Sequence, residues 1–424
     1  VKEKMVGRSM IGKSRKPKNI KFHNQRLVLS LMRQNDVISA SEIAQRINLS
    51  ITTVVKILAV LQENGLIKSM GKGSSTDEGG KKPELFAINE SYKHVIAIYA
   101  GPDFIQAAVT DLNCRLISCR NHPYKAAESL EQSMQDIADC ARLVLEENGL
   151  QSDDICAIPV SFDGIVDTEN GIIYYPIHNS GWGRNIPVQE MLERLIPWND
   201  HITVNNGSRY VSYGLFLAHP EYRDRSVLSI MSAASTGGCL IDHGKLVQGA
   251  HGFMGEVGHV IIQPAYRKRR CLCGRYGCFE TLVSMEAVRE YAEELSGEYG
   301  DHPLYRQILE GGAKHRDVFA QADQGDGFAR AIVDRLVEAF ESLIHNAALL
   351  CDPDLVAIGG AFTEGGAYFM EALKARISNQ SFFEIGNRLS IVYTPLSANH
   401  WIQDINVGAA LYAVDEYLRT LEFV

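Results

Sequence analysis

No apolar run in this sequence approaches the ~20 residues that an α-helix needs to cross a bilayer, and no leader-like pattern opens it. The chain therefore reads as cytoplasmic and not as an inserted or exported protein. Cysteine is sparse and unpatterned. There are nine, an odd number, without the regular spacing of a disulfide framework, so a reducing compartment is expected. Proline is also scarce, 13 residues in 424, which excludes a proline-rich fibrous or low-complexity protein. What is present, 46% hydrophobic and 22% charged residues, is the composition of globular domains, and the length calls for more than one.

Charge divides the chain. Residues 1–90 hold 16 lysines and arginines against 8 aspartates and glutamates, although the whole chain carries a formal charge of -9. A basic front on an acidic body directs only the front toward a polyanion. Residues 1–20, with Lys2, Lys4, Arg8, Lys13, Arg15, Lys16 and Lys18, read as a basic flexible arm.

Residues 21–90 read as one small domain. Leu27, Val28, Leu31 and Met32 recur at helical spacing up to Asn35-Asp36. Ser39 and Glu42 form a capping box for a helix from Ser41 to Ile47, and Ser50 caps a second helix from Ile51 to Glu63 that Asn64-Gly65 ends. Two helices joined by so short a turn predict a helix-turn-helix, whose second helix enters the major groove. Ser50, Thr52, Thr53 and Lys56 are then candidate DNA contacts. The following hairpin, Leu66–Ser69 and Leu85–Ile88, makes a wing with Lys72, Lys81 and Lys82 at its tip. The alternative, a three-helix packing module without a ligand, leaves the basic bias unexplained.

Beyond residue 90 the pattern becomes β-rich and then alternates. Strands are expected at His94–Gly101, Ile105–Asp111, Arg115–His122, Ile155–Val160 and Ile202–Asn205, with helices at Ser129–Asn148 and Pro187–Leu195. A similar cycle follows, with strands at Val227–Met231, Cys239–Ile241, Lys245–Val247 and Leu355–Ile358 and a long helix Gly327–Leu350. Two related α/β lobes with a cleft between them are the expected architecture: lobe one at about 91–205 plus 407–424, and lobe two at about 206–406. The closing helix, Val407–Thr420, is expected to return to lobe one.

The second lobe carries the densest chemistry. Gly255-Glu256-Val257-Gly258-His259 is followed by Cys271-Leu272-Cys273-Gly274-Arg275-Tyr276-Gly277-Cys278-Phe279-Glu280. Thiolate and imidazole ligands suit a closed tetrahedral zinc site; ordinary reduced cysteines in a tight loop are the alternative. Glu256 and Glu280 bracket the segment without being needed as ligands.

These two motifs together resemble the signatures of the ROK (repressor, ORF, kinase) family of sugar kinases and sugar-responsive regulators, and the resemblance runs from about residue 20 to the C-terminus. The helix-turn-helix in front is similar to that of the branch answering to xylose, glucose or N-acetylglucosamine. The resemblance implies an α/β fold, a winged helix-turn-helix followed by a two-lobed actin-like, ribonuclease-H-like sugar kinase body. It also implies a structural zinc held by His259, Cys271, Cys273 and Cys278, and sugar hydroxyls contacted by Asn179, Asn205, Asn206, Glu256, His259 and Glu280. Carboxylates, amides and an imidazole converging on rigid hydroxyls agree with that chemistry. His178 and Asp163 are further residues that could adjust selectivity.

Family kinases carry Asn-Asp where this chain has Asn205-Asn206, and an amide has no basic site to take the proton of an attacking hydroxyl. Tyr99 stands where their first phosphate loop has an acidic residue, Asp103 where it has threonine, and Ala233-Ala234-Ser235 aligns with their Gly-Thr-Gly. The expected function is thus a sugar-responsive transcriptional regulator, a repressor of carbohydrate genes, with no catalytic residues. Operator DNA, a sugar or sugar phosphate, and a second copy in a homodimer or homotetramer are its expected partners. A working kinase with an added head, and a regulator answering to a protein partner, are the rival readings.

Overall fold

The computed structural model describes residues 17–73, 82–123, 129–177, 180–199, 201–222, 224–232, 235–379, 384–394 and 401–423. The described chain divides into two compact units, a head comprising residues up to Lys93 together with Val414–Val424, and a body, His94–Ala413.

In the head, helix α1 (Pro17–Arg33) is followed by strand β1 (Ile38–Ser39), α2 (Ala40–Arg46) and α3 (Ile51–Glu63). The capping box is present in full: the Ser39 hydroxyl accepts from the Glu42 amide, and the Glu42 carboxylate accepts from the Ser39 amide. Strands β2 (Ile67–Lys72) and β3 (Glu84–Ile88) form the wing, and the short β1 pairs with β3 to complete a sheet ordered β1-β3-β2. One sequence expectation needs correction here. Helix α1 begins at Pro17, inside the stretch read as an arm. Its buried face is Phe22, Val28, Leu29 and Met32, while Leu27 is exposed, because the core stripe follows the i, i+3/i+4 row of Gln25, Val28, Leu29 and Met32.

The end of the chain completes the head. Gln25, almost fully buried, donates from Nε2 to the Phe423 carbonyl at 2.9 Å. Arg26 pairs with Glu422 at 3.3 Å, and Arg33 with Asp415 at 3.5 Å. The sequence reading had placed all of 407–424 with lobe one. The closing helix in fact spans Trp401–Thr420, and its residues from Val414 onward belong to the head unit.

The body contains two five-stranded sheets of the same plan. The first consists of β4 (His94–Ala100), β5 (Phe104–Asp111), β6 (Leu116–Pro123), β7 (Ile155–Phe162) and β10 (Ile202–Asn206), in the order β10-β7-β4-β5-β6. A separate hairpin, β8 (Gly164–Asp167) and β9 (Ile172–Pro176), follows β7. The second sheet has β11 (Ser226–Ser232), β12 (Thr236–Asp242), β13 (Lys245–Val247), β14 (Leu355–Gly360) and β15 (Ser390–Tyr393), in the order β13-β12-β11-β14-β15. In each sheet an antiparallel meander is extended by two parallel strands beside its first strand. Strand β7 lies between β4 and β10 and is buried along its whole length. Both its faces are covered, hence its continuous apolar run.

Helices α4 (Leu130–Glu147) and α5 (Val188–Leu195) pack on the first sheet, and α6 (Gly207–Ala218) starts directly from β10. The second lobe is packed by aromatic rings. Phe279, the first residue of α7 (Phe279–Val283), meets Phe340 of the long helix Gly327–Cys351 edge-on, with centroids 4.9 Å apart. That contact ties the cysteine-rich segment to the lobe's largest helix.

Candidate functional site

The side chains of His259, Cys271, Cys273 and Cys278 converge, with ligand atoms all within 4.8 Å of one another. Gly255 makes the approach possible. Its φ is +89°, and a Cβ there would sit 2.4 Å from the Gly238 carbonyl oxygen of β12. Cys271 Sγ lies 3.4 Å from His259 Nδ1, and Cys273 Sγ lies 3.6 Å from Cys278 Sγ. Tetrahedral Zn–S bonds of about 2.3 Å put neighbouring ligand atoms about 3.7 Å apart, so the four residues fit a zinc-sized ion. Burial pushes the Cys271 and Cys278 thiols up, Cys278 to about 11, a penalty that a bound dication reverses by stabilising thiolate.

The segment also holds Glu280. Its Oε2 accepts from the Thr236 amide at 2.8 Å, and its Oε1 lies 3.9 Å from Cys271 Sγ. Glu256, just before His259, is held by Arg209 of α6, whose Nη2 donates to Glu256 Oε1 at 3.1 Å. The same guanidinium donates to the Val166 carbonyl, to Asn205 Oδ1 and to the Gly252 carbonyl. Burial raises the Glu256 carboxyl to about 7; Arg209 opposes the shift and the Glu280 charge adds to it.

Of the expected sugar contacts, Asn205, Asn206, Glu256, His259 and Glu280 lie in the described residues; Asn179 and His178 lie outside them. Asn205 is fully buried at the end of β10, and its Nδ2 has no partner among the described residues. The sequence reading passed over two neighbours. Arg209 is 1% exposed and joins the elements that carry Glu256 and Asn205. Ser161 faces Asn205 across the β7–β10 pair and likewise leaves a buried hydroxyl unpartnered among the described residues. Its signal was a small polar residue inside an otherwise apolar strand.

Asn206 has a different task from its neighbour. It caps α6, with Oδ1 accepting from the Ser208 amide at 2.8 Å and from the Ser208 hydroxyl at 2.7 Å. Its Nδ2 donates to the Gly164 carbonyl at 2.6 Å. Both amide atoms are thus committed within the protein. Tyr99 donates its hydroxyl to Asp163 Oδ2 at 2.8 Å, and its ring lies against the Gly101 turn, where a Cβ would come within 2.8 Å of the ring. Asp103 is exposed, and Ala233 and Ala234 lie outside the described residues.

A cavity of about 370 Å³ opens beside His259 and Glu280, lined also by Cys273, Leu272, Phe253 and Tyr174 among others. Its volume is that of a small-molecule site.

In the head, Thr52, Val55 and Lys56 are exposed on α3. Ser50 and Thr53 are occupied with each other: the Ser50 hydroxyl caps the Thr53 amide at 3.1 Å and lies 2.7 Å from the Thr53 hydroxyl. On the wing, Lys72 and Lys82 are exposed, while Lys81 lies outside the described residues.

Comparison with known proteins agrees with both units. The chain matches the ROK family over residues 95–415 and a winged helix-turn-helix DNA-binding family over residues 22–68. It is 24% identical over 382 residues to the DNA-binding transcriptional dual regulator NagC of Escherichia coli, covering 89% of this chain and 90% of that protein. It is 25% identical over 367 residues to a xylose repressor of Caldicellulosiruptor bescii, covering 86% and 89%. Among solved structures, a ROK family transcriptional regulator, a homologue of the E. coli MLC protein, matches with a TM-score of 0.73 at 20% identity, over 94% of this chain and 99% of that one.

Proposed function

Since this chain belongs to the ROK family and carries a winged helix-turn-helix DNA-binding domain ahead of it, we propose that it is a sugar-responsive transcriptional regulator whose body binds a sugar without phosphorylating it. The observation that carries the second half is the hydrogen bond from Asn206 Nδ2 to the Gly164 carbonyl. Family kinases place an aspartate base at this position, but here a carboxylate would direct a lone pair at a carbonyl oxygen. The local fold is built for a donor, and an amide cannot act as the proton acceptor. Tyr99, packed over the Gly101 turn and bonded to Asp163, supports the same reading, because phosphate needs close backbone approach at that loop.

The sugar is held by hydroxyl-complementary groups. His259 and Glu280 on the cavity wall supply a polar edge and an acceptor; Asn205 Nδ2 and the Ser161 hydroxyl, buried and unpartnered among the described residues, are further donors, and Glu256 a further acceptor. Zinc on His259, Cys271, Cys273 and Cys278 would act as a brace: it fixes the segment that carries Glu280 and orients the His259 ring through Nδ1, leaving Nε2 to the ligand. The sugar alters DNA affinity through its different affinity for two arrangements of the protein. Operator DNA is bound by two copies, with Thr52, Lys56, Lys72 and Lys82 at the contact surface.

The test is a gel-shift titration on DNA upstream of neighbouring genes with a panel of sugars, run beside a coupled ADP-release assay. Specific retention that one sugar modulates, with no ADP release, is expected. Turnover on any sugar overturns the non-catalytic reading, and loss of all specific retention at moderate salt overturns the regulator reading.

A further inference from the structure

We propose that the effector is a disaccharide or other glycoside, whose second ring sits in an aromatic subsite formed by Tyr174, Phe253 and Leu272 next to the sugar groups. The inference rests on the sugar-binding reading above and specifies the ligand class.

The cavity that includes His259 and Glu280 does not end with them. It continues along Ile165, Tyr174, Tyr175 and Ile177 of the β8–β9 hairpin and its exit, and along Phe253 and Leu272. At about 370 Å³ it falls within the range of drug-sized ligand sites. Phe253 and Leu272 are 52% and 65% exposed and share the cavity wall with Tyr174, so they form an apolar patch and not scattered single side chains. The rings of Tyr174 and Phe253 are stacked, with centroids 5.9 Å apart and planes 13° apart. Flat aromatic faces of this kind suit the axial C–H face of a pyranose, which is apolar although its edge is hydroxylated.

The platform is held in place by the fold. The Tyr174 hydroxyl donates to Asp167 Oδ2 at 2.7 Å, and Asp167 also accepts from Asn170 Nδ2 at 2.8 Å. Next to Phe253, Gly252 has φ +68°, and a Cβ there would meet the Val166 carbonyl at 2.3 Å. Any other residue would push the Phe253 loop off β8. Arg209 binds the Gly252 carbonyl and Glu256 with one guanidinium nitrogen, so the platform and the sugar carboxylate are positioned by the same side chain. Arg184, Asn185 and Ser235 on the lining can meet the hydroxyl edge of a second ring.

A neutral ring fits better than a phosphate. Among the described lining residues Arg184 is the one permanent cation, and its guanidinium lies over the Tyr175 ring, 5.4 Å from the centroid. The Glu280 carboxylate lines the same cavity and repels an anion.

The experiment is calorimetry on the full zinc-loaded chain with matched ligands: glucose, xylose, N-acetylglucosamine and mannose against cellobiose, xylobiose, chitobiose and mannobiose, with glucose 6-phosphate as the anionic probe. One disaccharide is expected to bind at least tenfold more tightly than its own monosaccharide. Phe253→Ala should collapse that ratio toward one, and Phe253→Trp should restore it. A monosaccharide that binds as well as every disaccharide overturns the subsite and leaves the sugar-sensor reading standing. Preference for the 6-phosphate, lost in Arg184→Ala, overturns it in favour of an anion site. A flat response to every ligand overturns both readings.

Discussion

Arg209 Nη2 lies 3.1 Å from Glu256 Oε1, a buried ion pair between helix α6 and the segment leading to His259. The pair does not neutralise the carboxylate's cost of burial, since Glu256 is still shifted up to about 7. The sign of the consequence is fixed. An unfolded glutamate gives up its proton near ~4.3, so between that pH and about 7 the native state holds a proton that the unfolded chain has lost. Stability therefore falls as pH rises through this window and levels off above it, by about 4 kcal/mol at most. Glu256→Gln keeps an acceptor for Arg209 and has no proton to lose. Urea unfolding followed by tryptophan fluorescence tests this, because Trp182, Trp198 and Trp401 all lie in the body. From pH 5 to pH 8 the native chain should lose more stability than the variant; parallel profiles would refute the assignment.

Asn206→Asp restores the residue that family kinases carry. The cap to the Ser208 amide survives, but the donor to the Gly164 carbonyl is lost. The variant should be less stable by about 1–3 kcal/mol and should still release no ADP in the presence of sugar and ATP, since Tyr99 continues to cover the Gly101 turn. Stability equal to the native chain, or measurable turnover, would contradict this account.

Much of this was legible in the sequence because it is written in local or periodic terms. Ser39 with Glu42 announces a helix start, and fully apolar runs such as Ile155–Val160 announce a buried parallel strand. The cysteine spacing announces a loop that can close on a metal. What could not be read is what depends on contacts between distant segments. Arg209 looks like a surface residue in the first turn of a helix, yet its partners Val166, Gly252 and Glu256 lie 43 to 47 residues away. The β8–β9 hairpin gives only a weak strand signal, because its residues alternate briefly before a bulge between Ile165 and Val166. The closing helix reads as part of one lobe because nothing in its own pattern reveals that Arg33 pairs with its Asp415 and that Gln25 meets Phe423 just beyond its end.

Loss of one zinc ligand should release the metal before it unfolds the lobe. In Cys273→Ser the cluster keeps His259, Cys271 and Cys278 but loses an exposed thiolate, so metal content should fall well below one per chain. The sugar-induced shift in melting temperature should fall with it, while the Phe279–Phe340 contact keeps the lobe folded. A stoichiometric zinc content in this variant would show that Cys273 is not a ligand. A native protein that purifies without zinc from zinc-replete medium would remove the metal from the account.

The tail contacts predict that the head depends on the end of the chain. Truncation after Leu421 removes the Phe423 carbonyl that accepts from buried Gln25 and the Glu422 carboxylate that pairs with Arg26. The exposed Arg26–Glu422 pair contributes little; an unpaired buried amide costs about 1–3 kcal/mol. Hydrogen exchange in α1 should therefore accelerate about tenfold or more in the truncated chain, while exchange in β7 stays as it is. DNA affinity should fall with it, because α1 packs against α3. Unchanged protection of α1 would mean that the last three residues do not hold the head together.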